Sequence, residues 1–188
     1  MTLKNLHISK SWTLFLDRDG VINERIVGDY IKQTDEFRLL SGVGEAIKIF
    51  SEIFGRIVVV TNQQGIGRGL MTEEMLHEVH RKMLQEVKAA SGSIDRIYHC
   101  SGLAKDRPFD RKPNVGMALK ARKDFPEIRF KKSIIAGDSR SDMLFGRRLE
   151  MTTALIGESH SIATENPRLV NYYFPSLLEM AQAIIDPK

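Results

Sequence analysis

The sequence predicts an α/β fold: a three-layer sandwich with a central parallel sheet, helices on both faces and no separate cap domain. Two observations predict it. Short apolar runs with β-branched residues alternate along the chain with amphipathic stretches at helical spacing. Three of those runs end together in polar residues, as strands do where a parallel sheet meets its crevice.

The elements follow in order. Trp12–Leu16 reads as a first strand, buried on both faces, with Trp12 in the core. Val43–Phe54 has helical apolar spacing, and Ile57–Val60 is a second strand. Thr72 suits the cap of a long helix whose first turn carries Glu73 and Glu74, favourable at the positive end of the dipole. Met75, Val79, Met83 and Val87 then form a packing stripe, widened by Leu76 and Leu84. His77 and His80 on this helix read as a partly exposed face without a third metal ligand. Ile94–Tyr98 is a third strand, Val115–Asp124 a helix, and Ser133–Ala136 and Thr153–Ile156 two more strands. Tyr172–Phe174 is a weaker sixth strand, followed by a helix over Pro175–Ile185. The whole reads as one domain over residues 1–188, joined by right-handed crossovers.

Composition narrows the classes. Of 188 residues, 42% are hydrophobic and 28% charged, with a net charge of +4, so the chain can build a core and is not a disordered type. No apolar stretch approaches the ~20 residues of a membrane span, and no signal peptide is expected at the N-terminus. A single cysteine, Cys100, leaves no internal disulfide and points to a reducing, cytoplasmic setting. No exposed apolar seam is evident, so a monomer is the expectation.

The polar strand ends carry the chemistry. Asp17 and Asp19, two residues apart beyond a strand, can face one pocket, and Gly20 permits the bend. Asp138, at the end of another strand, adds a third carboxylate. Such acids repel one another unless a hard cation lies among them, for which Mg²⁺ with oxygen ligands and a substrate phosphate is suited. Thr61 offers a hydroxyl donor and Lys112 a point charge for phosphoryl oxygens. Taken singly, each of these residues also fits a turn, a cap or a surface charge.

Taken in order, they resemble the haloacid dehalogenase superfamily of aspartate-nucleophile phosphatases. Phe15-Leu16-Asp17-Arg18-Asp19-Gly20-Val21-Ile22-Asn23 is similar to its first motif and Val60-Thr61-Asn62 with Gly65-Ile66-Gly67-Arg68-Gly69 to its second. Arg111-Lys112-Pro113 is similar to the third, and Gly137-Asp138-Ser139-Arg140-Ser141-Asp142 to the fourth. The wording lies nearest the D-glycero-D-manno-heptose 1,7-bisphosphate 7-phosphatase and histidinol-phosphatase group. The resemblance implies that Asp17 is the nucleophile and Asp19 the general acid and base. It implies Mg²⁺ on the Asp17 carboxylate, the Asp19 backbone carbonyl and Asp138, with Thr61 and Lys112 holding the phosphoryl group. Arg18, Asn62, Gln63, Gln64, Arg111 and Ser139 would contact the substrate, as would part of the loop from Arg25 to Tyr30. Asp142 would orient Lys112 or a water on the metal.

One departure concerns zinc. The group carries a zinc loop of the form Cys-x-His, then Cys-x-Cys, before its third motif. Here Cys100 is followed by Gly102, Pro108 and Asp110 at the other ligand positions, and tetrahedral zinc needs four ligands. Zinc is not expected, and His99 beside Cys100 is at most a two-ligand remnant. The segments from Asn23 to Val43 and from His99 to Arg111 are too short for a cap, so the site should be open.

The expected substrate is a small phosphorylated metabolite, first a heptose bisphosphate and next histidinol phosphate. Between Lys105 and Lys132 stand ten Lys or Arg against four Asp or Glu, which keeps a nucleic-acid 3′-phosphate as a more distant alternative. A non-catalytic phosphate-binding protein and a phosphotransferase are the competing classes.

Overall fold

The computed structural model describes residues 6–157 and 161–185. Six strands, β1 (Thr13–Leu16), β2 (Arg56–Asn62), β3 (Arg96–Cys100), β4 (Ser133–Gly137), β5 (Thr152–Ile156) and β6 (Tyr172–Phe174), form one sheet. All neighbours are parallel, in the order β3-β2-β1-β4-β5-β6. The strand order reverses direction at β1, which pairs with β2 on one side and β4 on the other. Open sheets of this kind place their crevice beyond the carboxyl ends at that point.

Alternating strand residues build the two faces, because successive side chains point to opposite sides. Trp12, Leu14 and Leu16 of β1 and its entry join Ile57 and Val59 of β2 and Ile134 and Ala136 of β4 in one core. Phe15, Val58, Val60 and Ile135 point to the other. Helices α1 (Val43–Ile53), α3 (Glu73–Ala89) and α7 (Leu177–Ile185) cover the first face, while α4 (Gly116–Asp124) and α5 (Arg140–Arg148) cover the second. A short α2 (Gln64–Gly67) follows β2 and α6 (Ser161–Glu165) follows β5.

Every expected strand is present, shifted at its ends by up to two residues. The cap of α3 forms as the sequence predicts: Thr72 Oγ1 accepts from the Met75 amide at 3.2 Å. Its buried face differs, comprising Leu76, Val79, His80, Met83 and Val87, whereas Leu84 is 38% exposed. The stripe is thus turned so that His80, not Leu84, meets the interior, because a polar partner waits there. Helix α5 is not apparent from apolar spacing alone. It is set by Ser139, whose hydroxyl caps the Asp142 amide while the Asp142 carboxylate returns a bond to the Ser139 amide.

Among the described residues no separate cap body forms. The segment from β1 to α1 holds one short 3₁₀ turn, Thr34–Glu36, and two isolated β-bridges, and the one from β3 to α4 holds the 3₁₀ turn Ala104–Asp106. Among the described residues, no helix is long and apolar enough to cross a membrane.

Candidate active site

Three strand ends meet at the reversal. The Asp17 amide donates to the Ala136 carbonyl at 2.9 Å, which ties the end of β1 to β4 and sets Asp17 beside Asp138. Gly20 follows at φ +85°, and a Cβ there would collide with the Asp138 carboxylate. Glycine is needed on both counts. The residues surround a cleft of about 330 Å³ lined by Asp17, Asp19, Thr61, Asn62, Gln64, Arg111, Lys112, Asp138 and Ser139. Arg25, Ile26, Gly28, Asp29, Tyr30 and Ile31 form one wall, and Arg68 completes it.

Asp17 Oδ1 accepts from the Arg18 amide at 2.7 Å and pairs with Lys112 Nζ at 2.8 Å. Among the described residues neither bond goes to Oδ2, which is left for the cleft. Burial, then the charges of Asp142 and Asp138, push the Asp17 carboxyl up to about 8, although Lys112 pulls it down. Burial opposes charge on Lys112, yet Asp142 and Asp17 outweigh it and hold the ammonium above its usual value. Asp138 is raised by burial and by Asp142, with Arg25 acting against them from 3.3 Å.

Among the described residues, Asp17, Asp138 and Asp142 are the group of carboxylates that converge, with ligand atoms within 4.8 Å of one another. Of these, Asp17 and Asp138 line the cleft and offer it oxygen donors crowded with like charge, which fits a hard divalent cation such as Mg²⁺. The Asp19 carboxylate, by contrast, lies outside that group. Asp142 is fully buried, with Oδ1 2.5 Å from Lys112 Nζ and Oδ2 accepting from the Ser139 hydroxyl at 2.5 Å. Its charge partner is thus Lys112.

Two of the expected substrate contacts are placed elsewhere. Arg18 is fully buried behind the loop, gripping Asp19 with Nε and Nη2. It cannot reach a ligand, because a buried guanidinium must satisfy its donors inside the protein. Gln63 is also fully buried; its Nε2 donates to Asp19 Oδ2 at 2.8 Å and to Thr61 Oγ1 at 2.9 Å. Thr61 thereby uses a lone pair on Gln63 and keeps its hydroxyl proton for the cleft.

Asn62 lines the cleft but is occupied. Its Nδ2 donates to the Lys112 carbonyl at 3.1 Å and its Oδ1 accepts from the Lys112 amide at 3.0 Å. This two-way bond moors the third motif to the end of β2. Gln64 lines the cleft and accepts from the Ala104 amide, and Arg111 keeps Nη1 buried and without a partner among the described residues. Ser139 lines the cleft with its hydroxyl engaged by Asp142 and Ser141.

Asp19 accepts from Arg18, Asn23 and Gln63. Burial would raise its pKa, but Arg18 and these amide donors outweigh it and hold the carboxyl below the usual range. It stands ionised. The sequence reading did not find Arg68 as a wall of the cleft, nor Asn23 and His80 as supports. Arg68 lies within the quoted second motif, but His80 had no local signal because its partner is distant in sequence.

At the zinc-loop positions, Gly102 lies against Pro108, and Asp110 pairs with Lys120. Burial raises the Cys100 thiol. His99 does not accompany Cys100: adjacent strand residues face opposite ways, and His99 Nε2 meets Glu73 at 2.8 Å on the α3 side.

Residues 14–161 match the family model described as polynucleotide kinase 3 phosphatase. A Mycobacterium bovis protein named D-glycero-alpha-D-manno-heptose-1,7-bisphosphate 7-phosphatase is 34% identical over 92% of this chain and 91% of its own. A Campylobacter jejuni protein of the same name is 37% identical over 78% and 83%. The crystal structure of D,D-heptose 1.7-bisphosphate phosphatase from B. bronchiseptica, complexed with magnesium and phosphate, superimposes with a TM-score of 0.84 at 25% identity, covering 94% of this chain and 99% of that one. With the aspartate-rich crevice and the parallel sheet, these matches mean that the chain belongs to the haloacid dehalogenase superfamily of phosphatases, in the family described as polynucleotide kinase 3 phosphatase.

Proposed function

We propose that this chain is a Mg²⁺-dependent phosphatase that removes the 7-phosphate of D-glycero-D-manno-heptose 1,7-bisphosphate through an aspartyl-phosphate on Asp17. The observation that carries the substrate is the near full-length likeness to relatives of that name, 34% identical over 92% of the chain. Asp17 and Asp138 fit Mg²⁺, with the Asp19 carbonyl as a further ligand; when bound it would neutralise the nucleophile and the phosphoryl oxygens.

Asp17 Oδ2 attacks phosphorus, and the bond from phosphorus to the sugar oxygen breaks. Lys112 and the Thr61 hydroxyl hold the phosphoryl oxygens. Asp19 delivers a proton to the leaving oxygen; the incoming phosphoryl charge favours proton uptake on a carboxyl otherwise held ionised. Water then attacks the aspartyl-phosphate, Asp19 takes its proton, and the bond from phosphorus to Asp17 breaks to release inorganic phosphate. Arg111, whose Nη1 has no partner among the described residues, binds the remainder of the substrate, with Gln64, Ser139 and the Arg25–Tyr30 wall around it.

A second reading, a nucleic-acid 3′-phosphatase, is favoured by the description of the matching family model. The test is kcat/KM with Mg²⁺ on heptose 1,7-bisphosphate, histidinol phosphate and a 3′-phosphorylated oligonucleotide, with Asp17→Asn as blank. A preference for the heptose of about a hundredfold, some 2.7 kcal/mol, is expected. The same preference for the oligonucleotide would overturn the substrate, and no turnover above the blank would overturn the chemistry.

A further inference from the structure

Among the described residues Arg18 is the largest fully buried side chain, and the mechanism above leaves it without a role. Its guanidinium is divided between two partners. Nε donates to Asp19 Oδ1 at 3.2 Å, and Nη2 donates to Oδ1 at 2.9 Å and to Oδ2 at 3.0 Å. Nη1 turns the other way and lies 3.1 Å from His80 Nε2. Arginine has donors only, so His80 Nε2 must be the acceptor, and the ring is neutral with its proton on Nδ1. His80 is 6% exposed, on the face of α3 turned to the sheet, with the His99 ring edge-on at 5.9 Å.

Asn23 and Gln63 each give Asp19 one neutral bond, to Oδ1 and Oδ2 respectively. Arg18 alone grips both oxygens, and the planar fork fixes the rotation of the carboxylate as single donors cannot. The fork is in turn fixed by His80, so a helix remote from the cleft sets the geometry of Asp19.

We propose that Arg18, anchored by His80 of α3, is a positioning residue that holds the Asp19 carboxylate in place to take the proton from water attacking the aspartyl-phosphate. This inference rests on the proposed two-step reaction. It has a kinetic signature that separates it from a merely structural role. With p-nitrophenyl phosphate the leaving group needs no proton, so formation of the aspartyl-phosphate does not depend on Asp19. Loss of the fork then slows the second step alone. kcat falls, while kcat/KM, which reports events up to loss of p-nitrophenol, is preserved.

The experiment is stopped-flow and steady-state hydrolysis of p-nitrophenyl phosphate with Mg²⁺ by the wild type and Arg18→Lys, His80→Leu and His80→Gln. Arg18→Lys keeps the charge without the fork, and His80→Leu removes the acceptor. Both are expected to lose about tenfold or more in kcat, to keep kcat/KM within about threefold, and to show a p-nitrophenol burst near one per site. His80→Gln, whose Oε1 can accept from Nη1, is expected to restore kcat to within about threefold of wild type. If Arg18→Lys does not fold, the two His80 variants carry the same comparison. Equal losses in kcat and kcat/KM, or an unchanged kcat in both disruptive variants, overturn the inference while the wild type still turns over. A wild type that forms no aspartyl-phosphate overturns the two-step reading itself, and this inference with it.

Discussion

The ammonium of Lys112 stands 2.5 Å from Asp142 Oδ1, with both side chains shut away from water. Its second carboxylate partner, Asp17, lies 2.8 Å off on the cleft side. One buried cation thus balances two acids, and Asp142 gives up its remaining oxygen to Ser139 at the head of α5. The cleft wall and the start of α5 are joined through this pair, at the lysine proposed to hold the phosphoryl group.

Lys112→Met should therefore destabilise the fold as well as stop the reaction. It leaves two carboxylates buried without their counter-charge, a change that costs about 3–5 kcal/mol in such settings. Mg²⁺ supplies positive charge beside Asp17, so part of that loss should return when it is added. Urea unfolding of wild type and variant, each with EDTA and with Mg²⁺, measures both effects. A variant as stable as wild type in EDTA would contradict the pairing.

Asn62→Ala should act on the same lysine from outside. The amide of Asn62 gives and takes one bond with the Lys112 backbone, each contributing about 1 kcal/mol. Without them the third motif is released from β2 and Lys112 loses its register with Asp17. The expected outcome is a fall in kcat of about tenfold or more with a smaller change in KM, since the residue positions a catalytic group. A rise in KM at constant kcat would instead mark Asn62 as a direct substrate contact.

The stability of the metal-free protein should fall as pH rises from about 6.5 to 8, a window below and around the raised value of the Asp17 carboxyl. Through that range the folded state keeps a proton on Asp17 that the unfolded chain, with an ordinary aspartate near 3.8, has already lost. Native binding of more protons means stability declining with pH, by at most about 1.4 kcal/mol per pH unit for one group. Asp17→Asn removes the titration and should flatten the profile, as should Mg²⁺ by favouring the ionised form. Thermal midpoints in EDTA across this window are the check; a steeper fall in Asp17→Asn than in wild type would refute it.

How far the sequence revealed this arrangement depends on the range of the signal. Strand residues such as Ile57–Val60 and the motif acids Asp17 and Asp138 are legible because burial on two faces and polar strand ends act locally. Arg18 and Gln63 were misread as substrate contacts. Nothing in their neighbours shows that a loop turns them inward, and only the folded chain brings Gln63 to Asp19 and His80 to Arg18. Helix α5 was missed for a different reason: its start is fixed by side-chain to backbone bonds of Ser139 and Asp142, not by apolar spacing. Leu84 shows the converse error, since a helical stripe of apolar residues does not by itself say where the stripe ends when a buried polar contact competes.

His80 should limit stability on the acid side. Burial, then the charge of Arg18, with lesser effects from His99 and His77, hold its imidazole down to about 2, so it is neutral in the folded protein throughout the ordinary range. In the unfolded chain the ring titrates near 6.5. Below that value the unfolded state takes up a proton that the folded state refuses, and stability is lost progressively as pH falls. The sign is opposite to that of Asp17, and the two effects offset one another between about pH 4 and 6.5. The difference between proteins therefore carries the information rather than the raw profile. His80→Gln retains an acceptor for Arg18 but cannot be protonated, so its stability relative to wild type should grow as the pH is lowered from 6.5 to 4.5. Urea midpoints for the pair at pH 7, 5.5 and 4.5 measure this. A constant difference over the three would mean that His80 is protonated in the fold, and that Arg18 Nη1 does not rely on it as an acceptor.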